Sequence, residues 1–245
     1  MNRSNLQASR RDRALPFRPV PRETVQDRVH GQMLAMILDG EIEPGQTVTI
    51  TALAEAFGVS AMPVREALHR LTAAGALTIV AGRSVGIPAL SVQRLLDLQR
   101  VRVEIEGLAA EWAARAASPA LLSRLDTLIA EMSRSADDDG EKRFIPPNRE
   151  FHFAVYEAAG SEVLVATIER LWLRIGPYLS LLRGSGNWRV ANRQHQALRD
   201  AIARGDGPAS RAALRADIEE AGSILVRLLT DGQAARGSST LSSGR

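Results

Sequence analysis

Cysteine is absent from the 245-residue chain. Without thiols there is no disulfide framework and no thiolate metal site, and a reducing compartment fits. No run of about 18 uninterrupted apolar residues occurs, the length that a membrane helix needs. The first 22 residues lack the apolar core of a signal peptide. A soluble, cytoplasmic protein with no membrane partner is therefore expected. No internal repeat or low-complexity core is present, and neither a nucleophile motif nor a separate general base stands out.

What is present suffices for a packed interior. Apolar residues make up 45% of the chain, and the length fits one large domain or two ordinary ones. The net charge is only +3, but it is unevenly spread. Residues 1–22 carry Arg3, Arg10, Arg11, Arg13, Arg18 and Arg22 against Asp12 alone. This basic arm reads either as a solvated, disordered tail or as a source of non-specific phosphate attraction.

Regular periodicity starts at Glu23. Val25, Val29, Met33, Ile37 and Leu38 share a helical face that stops at Asp39-Gly40. Pro44-Gly45 marks a turn, and Thr47 to Ile50 is a short β-branched stretch. Thr51 is the expected N-cap of a helix over 52–57. Gly58-Val59 turns the chain, and Ser60 is placed to cap a helix over 61–74 that buries Val64, Ala67, Leu68 and Leu71. After Gly75, residues 77–80 and 85–87 read as two strands around Ala81-Gly82-Arg83-Ser84. Residues 23–88 thus predict a winged helix-turn-helix, whose second short helix enters the major groove.

Beyond a linker, placed at 89–94, the pattern is helical throughout. Leu95, Leu98, Val101, Ile105, Leu108, Trp112 and Ala116 form one stripe, and Ser118-Pro119 opens a second helix. Asp137 to Gly140 is an expected exposed turn. Further helices are expected over 148–159, over 162–182 with a bend at Gly176-Pro177, over 188–204 and over 208–229. The Gly/Ser-rich residues 231–245 are expected to fray. The fold class expected is mainly α: an N-terminal winged helix-turn-helix and an all-helical antiparallel bundle over 95–230.

The stretch Leu53-Ala54-Glu55-Ala56-Phe57-Gly58-Val59-Ser60 followed by Pro63-Val64-Arg65-Glu66-Ala67-Leu68 resembles the DNA-binding domain of the GntR family. Ala61 stands where that family usually has a DNA-contacting arginine, and Ser84 where it usually has a wing glycine. The helical part resembles the FadR-type ligand-binding domain, also called FCD. That match is carried by Val101-Arg102 with Glu106, by Asn148-Arg149-Glu150-Phe151-His152 with Ala158-Ala159-Gly160, and by His195 with Ala201-Ile202 and Gly205-Asp206. The resemblance implies a homodimer on double-stranded operator DNA that responds to a small organic acid.

At the DNA-reading end, Arg65 lies one turn into the recognition helix, within reach of a guanine edge or a phosphate. Ser60 and Met62 belong to the same helix start, where orphan N–H groups suit a phosphate. Thr51 is a further phosphate candidate. His69 and Arg70 read either as backbone contacts or as a solvated face. Arg83 at the wing tip reads as a minor-groove or phosphate contact, or as an ordinary turn arginine.

At the ligand end, the resemblance implies a divalent metal, Zn, Mn or Ni, held by Asn148, His152, His195 and Asp217. Asn148 and Asp217 stand where the family has Asp and His, so one carboxylate is kept among the four groups. The competing reading makes His152 and His195 metal-free pocket residues that hydrogen-bond an organic ligand. Arg102 fits either a carboxylate anchor for that ligand or a salt bridge with Glu106. Trp172, Phe151 and Tyr178 line a cavity or pack the core. Two other functions remain open on the sequence: a metal-dependent enzyme on the helical scaffold, and a ligand-independent nucleic-acid-binding protein.

Overall fold

The computed structural model describes residues 24–80, 84–134, 141–182, 185 and 187–242. The basic arm, Arg83 at the wing tip and the turn at 137–140 lie outside the described residues.

The first helix, α1 (Val25–Leu38), starts with a reciprocal capping box. Thr24 accepts from the Asp27 N–H, and the Asp27 carboxylate accepts from the Thr24 N–H. It buries Val29, Met33, Ile37 and Leu38, whereas Val25 in the first turn faces solvent. Strand β1 (Thr47–Thr49) leads directly into α2 (Ile50–Phe57). The cap of α2 is Thr49, which accepts from the Ala52 N–H, and not Thr51, because the helix opens two residues earlier than the periodicity suggests. Gly58 takes a left-handed φ of 63°, conformationally cheap only for glycine, and sets the turn into α3 (Ala61–Ala73).

Strands β2 (Thr78–Ile79) and β3 (Ser84–Gly86) make the wing, and β1 pairs with the other edge of β3. Both pairings are antiparallel, with Val85 opposite Val48 on one side and Ile79 on the other. Gly86 in the central strand has no room for a side chain, since a Cβ would lie 2.8 Å from the Gln46 carbonyl oxygen. Helices α1 and α3 pack together over Met33, Ile37, Val64 and Leu71, all fully buried.

The helical domain follows as α4 (Val92–Arg115), α5 (Pro119–Arg134), α6 (Glu141–Ala158), α7 (Glu162–Leu179) with a tight turn over Ser180–Leu182, α8 (Asn187–Ala203) and α9 (Gly207–Ser242). Helix α9 packs along α4 and α8, and α5 packs along α6. Three boundaries differ from the sequence expectation. Helix α4 begins at Val92 behind the Ser91 cap, so the linker is shorter than 89–94. Helix α6 begins at Glu141 and runs through Pro146 and Pro147. Those prolines read as punctuation in sequence, but burial of Ile145 and contact of the Phe144 ring with His195 at 6.4 Å hold the turn in place. Helix α9 continues past Leu229 to Ser242, where a frayed tail was expected; extending an anchored helix requires no new nucleus.

The two domains meet along one seam. The Tyr178 hydroxyl on α7 donates to the Pro88 carbonyl, Gly176 on α7 abuts Leu38, and Arg149 on α6 pairs with Asp39 at the end of α1.

Candidate functional site

On the DNA-facing side, α3 presents two faces. Val64, Ala67, Leu68 and Leu71 are buried, while Ser60, Ala61, Met62, Arg65, Glu66, His69 and Arg70 are exposed. Ser60 has the extended backbone of an N-cap, yet its hydroxyl makes no capping bond, contrary to the sequence expectation. The first-turn N–H groups of α3 are thus not served by it, as a phosphate site requires. Arg70 pairs with Asp27 on α1 at 3.0 Å and so braces α3 against α1 at the surface. Thr51 is exposed in the first turn of α2.

The second site lies inside the helical domain. His152 comes from α6, His195 from α8 and Asp217 from α9, three helices brought together by their apolar stripes. His152 Nε2 is 3.3 Å from Asp217 Oδ2 and 3.3 Å from His195 Nε2, and His195 Nε2 is 3.7 Å from Asp217 Oδ1. One ligand atom from each residue lies within 4.8 Å of the other two. Both imidazoles are buried, with Phe151 4.5 Å from the His195 ring and Trp172 5.3 Å from the His152 ring. Burial pushes His195 down to about 4, against the pull of Asp217 and together with repulsion from His152. Burial alone would raise the Asp217 carboxyl; the His152 hydrogen bond and the neighbouring His195, His152 and Arg102 bring it below the usual carboxylate range.

A second rank of side chains orients the first. Glu106 is fully buried and accepts from Arg102 at 2.6 and 3.2 Å, from the Tyr156 hydroxyl at 2.5 Å and from the Trp172 indole N–H at 3.3 Å. Arg102 also lies over the Trp172 ring, 5.5 Å from its centroid. The Tyr156 hydroxyl is 3.3 Å from His152 Nδ1. Its single hydrogen goes to the carboxylate, and the role of Nδ1 opposite its oxygen follows the tautomer of His152. His152 Nε2 faces the Asp217 carboxylate and is the atom that a metal would share with it.

This network decides whether a metal fits. A metal held there would take the place of the proton that His152 shares with Asp217. His195 Nδ1 is buried without a partner. Two imidazole nitrogens and one carboxylate suit a borderline divalent cation such as Zn, Mn or Ni. His152 would carry the outer-sphere hydrogen bond that metal-bound histidines usually make.

The fold thus gathers His152, His195 and Asp217, and sets Asn148 half-buried one turn before His152. Arg102 stands behind them in the salt bridge with Glu106, one of its two sequence readings. Trp172, Phe151 and Tyr178 are buried core residues. Sequence reasoning overlooked Tyr156, although its position four residues after His152 puts it on the same helix face. It also overlooked the Arg149–Asp39 pair, whose partners are 110 residues apart.

A winged helix with an exposed second helix, joined to a helical bundle with a buried cluster of two histidines and a carboxylate, defines the class of bacterial transcriptional regulators with a sensory C-terminal domain. The known proteins bear this out. The family described as "Bacterial regulatory proteins, gntR family" matches residues 25–87, and the FCD domain matches residues 97–220. The chain belongs to the GntR family, in its FCD-bearing branch, and the relatives that it matches are named transcriptional regulators. It is 32% identical over 143 residues to the HTH-type transcriptional regulator McbR of Escherichia coli K12; that match spans 58% of this chain and 65%, just under two thirds, of McbR. It is 27% identical over 214 residues to the HTH-type transcriptional regulator LutR of Bacillus subtilis 168, spanning 78% of this chain and 96% of LutR. The solved structure of E. coli McbR/YncC superposes with a TM-score of 0.77 at 27% identity, covering 84% of this chain and 99% of that one.

Proposed function

We propose that this protein binds a palindromic operator as a homodimer in the cytoplasm, and that a small carboxylate metabolite held at the His152, His195 and Asp217 cluster sets its operator affinity. The observation that carries the sensory half is the convergence of two imidazole nitrogens and a carboxylate oxygen in one buried site. A divalent cation bound there, with Asn148 as a fourth ligand, offers a coordination site to a carboxylate. The chain's own residues position the two imidazoles, exclude water and leave Arg102 near Asp217 as a second positive group.

The DNA half rests on the exposed face of α3. Arg65 and the start of the helix are free of the domain core, as base and phosphate contacts require. Ser60, Met62 and His69 complete the DNA-facing set on α3, with Thr51 from α2 and Arg83 from the wing. Arg70 joins it by exchanging Asp27 for phosphate.

A single recognition helix reads too few bases for genomic selectivity, so two copies are needed. The outer face of α4 exposes Leu96 and Val101, beside Arg215 and Glu219 of α9. A patch with an apolar centre and both signs of charge can pair with its own copy about a two-fold axis.

The test is a thermal-shift screen of small organic acids with and without added zinc, followed by operator binding with each hit. A ligand that binds only the folded state raises its melting temperature. A carboxylate that stabilises the protein and changes operator affinity supports the reading. Binding only by ligands without a carboxylate would contradict it.

A further inference from the structure

The seam between the domains carries information about regulation, and the inference drawn from it rests on the effector site proposed above. Arg149 follows Asn148 directly and precedes His152 by three residues, so the segment of α6 that serves the cluster also reaches the winged helix. Its guanidinium meets Asp39, the C-cap residue of α1. We propose that the Arg149–Asp39 pair is the joint through which movement of α6 at the effector cluster repositions the DNA-binding domain.

Three features make this contact suited to switching. Asp39 places a negative charge at the end of α1, where the helix dipole already disfavours one. The carboxylate therefore depends on an external cation to remain in place. The contact is also poorly aligned: Arg149 Nε lies 3.1 Å from Asp39 Oδ1 without the direction of a hydrogen bond, and the bond from Nη2 to Oδ2 is 3.4 Å long. A bidentate fork would bring both contacts to about 2.8 Å. A small rotation of α6 is enough to close the fork or to break it. Finally, both groups are largely withdrawn from water, with side chains 25% and 18% exposed, so water replaces a broken contact only in part.

The rest of the seam converts that local change into a domain movement. A Cβ on Gly176 would lie 3.2 Å from the Leu38 Cδ2 and 3.3 Å from its Cα, so α7 and the end of α1 pack closely there. Arg174 covers Gly75 at the end of α3, at 3.3 Å from the position of its missing Cβ. At these points the winged helix rests on α6 and α7. Helix α7 also supplies Trp172, which bonds Glu106 behind the cluster. Displacing α6 relative to α7 moves Asp39 while Leu38 stays seated, and this tilts α1 and with it α3.

The experiment uses the full-length protein with an operator obtained by in vitro selection. Spin labels on an exposed residue of α3 and an exposed residue of α5 report the interdomain distance distribution in the metal-free and zinc-loaded states. Operator Kd is measured in the same two states. Arg149→Gln and Asp39→Asn are compared with the charge swap Asp39→Arg/Arg149→Asp and with Gly176→Ala, which disturbs the seam without altering charge. Zinc affinity is measured by calorimetry for each.

Both neutral variants should broaden the metal-free distance distribution, and the swap should narrow it again. Zinc should change wild-type operator Kd by a factor within the usual allosteric range of about 5–150. In Arg149→Gln that factor should fall below about 2 while zinc affinity is kept. An unchanged distance distribution in both neutral variants, or a full zinc effect in Arg149→Gln, would overturn the proposal. Failure of the wild type to bind zinc would instead count against the effector site, and the distance distributions would still decide whether Arg149 and Asp39 form the joint.

Discussion

Replacing Arg102 with leucine separates the two roles open to this residue. Glu106 is fully buried and takes two hydrogen bonds from Arg102, one of them 2.6 Å long, with Tyr156 and Trp172 supplying the other two. Removal of the guanidinium leaves a buried carboxylate with two neutral donors and no countercharge. Breaking a buried pair in this way costs about 3–5 kcal/mol. For a chain of this size that is a fall in melting temperature on the order of 6–20 °C. The Glu106→Leu/Arg102→Leu double variant removes both charges and should recover part of the loss, because no unpaired ion remains. Circular dichroism melts and urea titrations of metal-free protein measure both effects, with the urea slope checked for constancy. An Arg102→Leu protein within about 1 kcal/mol of wild type, with no recovery in the double variant, would refute a structural role and free Arg102 to act as a ligand anchor.

Other substitutions test the remaining parts. Arg65→Ala should weaken operator binding by about 1–3 kcal/mol without lowering the melting temperature, since the side chain faces solvent; gel-shift titration beside a thermal melt checks this. Leu96→Glu/Val101→Glu should turn a dimer into monomers with intact helicity, as sedimentation will show, and a persistent dimer would place the interface elsewhere. Acidification should destabilise metal-free protein between about pH 6.5 and 4, because His195 is held neutral down to about 4 in the fold and takes up its proton near 6.5 when unfolded. The unfolded state binds more protons across that window, so stability rises with pH through it, by at most about 3 kcal/mol from this group. Asp217, depressed in the fold, contributes in the same direction below its unfolded value. A flat stability profile from pH 7 to 4 in chelated protein would contradict the buried neutral histidine.

Much of the fold was legible because burial leaves a period. The stripe Val64, Ala67, Leu68, Leu71 placed α3, and Gly58 placed the turn before it. The ends of helices were less legible, since packing decides them. Pro146 and Pro147 argue locally for a helix start, yet α6 runs through them, with Ile145 buried and the Phe144 ring against His195. His152, His195 and Asp217 were found through a family pattern, because residues from three separate helices leave no common spacing. Tyr156 carries only the signal of its spacing, four residues after His152, and the Arg149–Asp39 pair carries none that one sequence can give. Each owes its role to a partner dozens of residues away, Glu106 in one case and the end of α1 in the other.

The central claim is that a cation at the buried histidine–aspartate cluster passes the effector's presence to the operator. The most direct measurement is titration of the labelled operator complex with a carboxylate hit, by fluorescence anisotropy, for wild type with and without chelator and for His152→Ala/His195→Ala. The account predicts that the effector shifts operator Kd in wild type, that chelator removes the shift, and that the double variant binds operator but ignores the effector. A full shift in the double variant, with its metal content confirmed as nil, would contradict it.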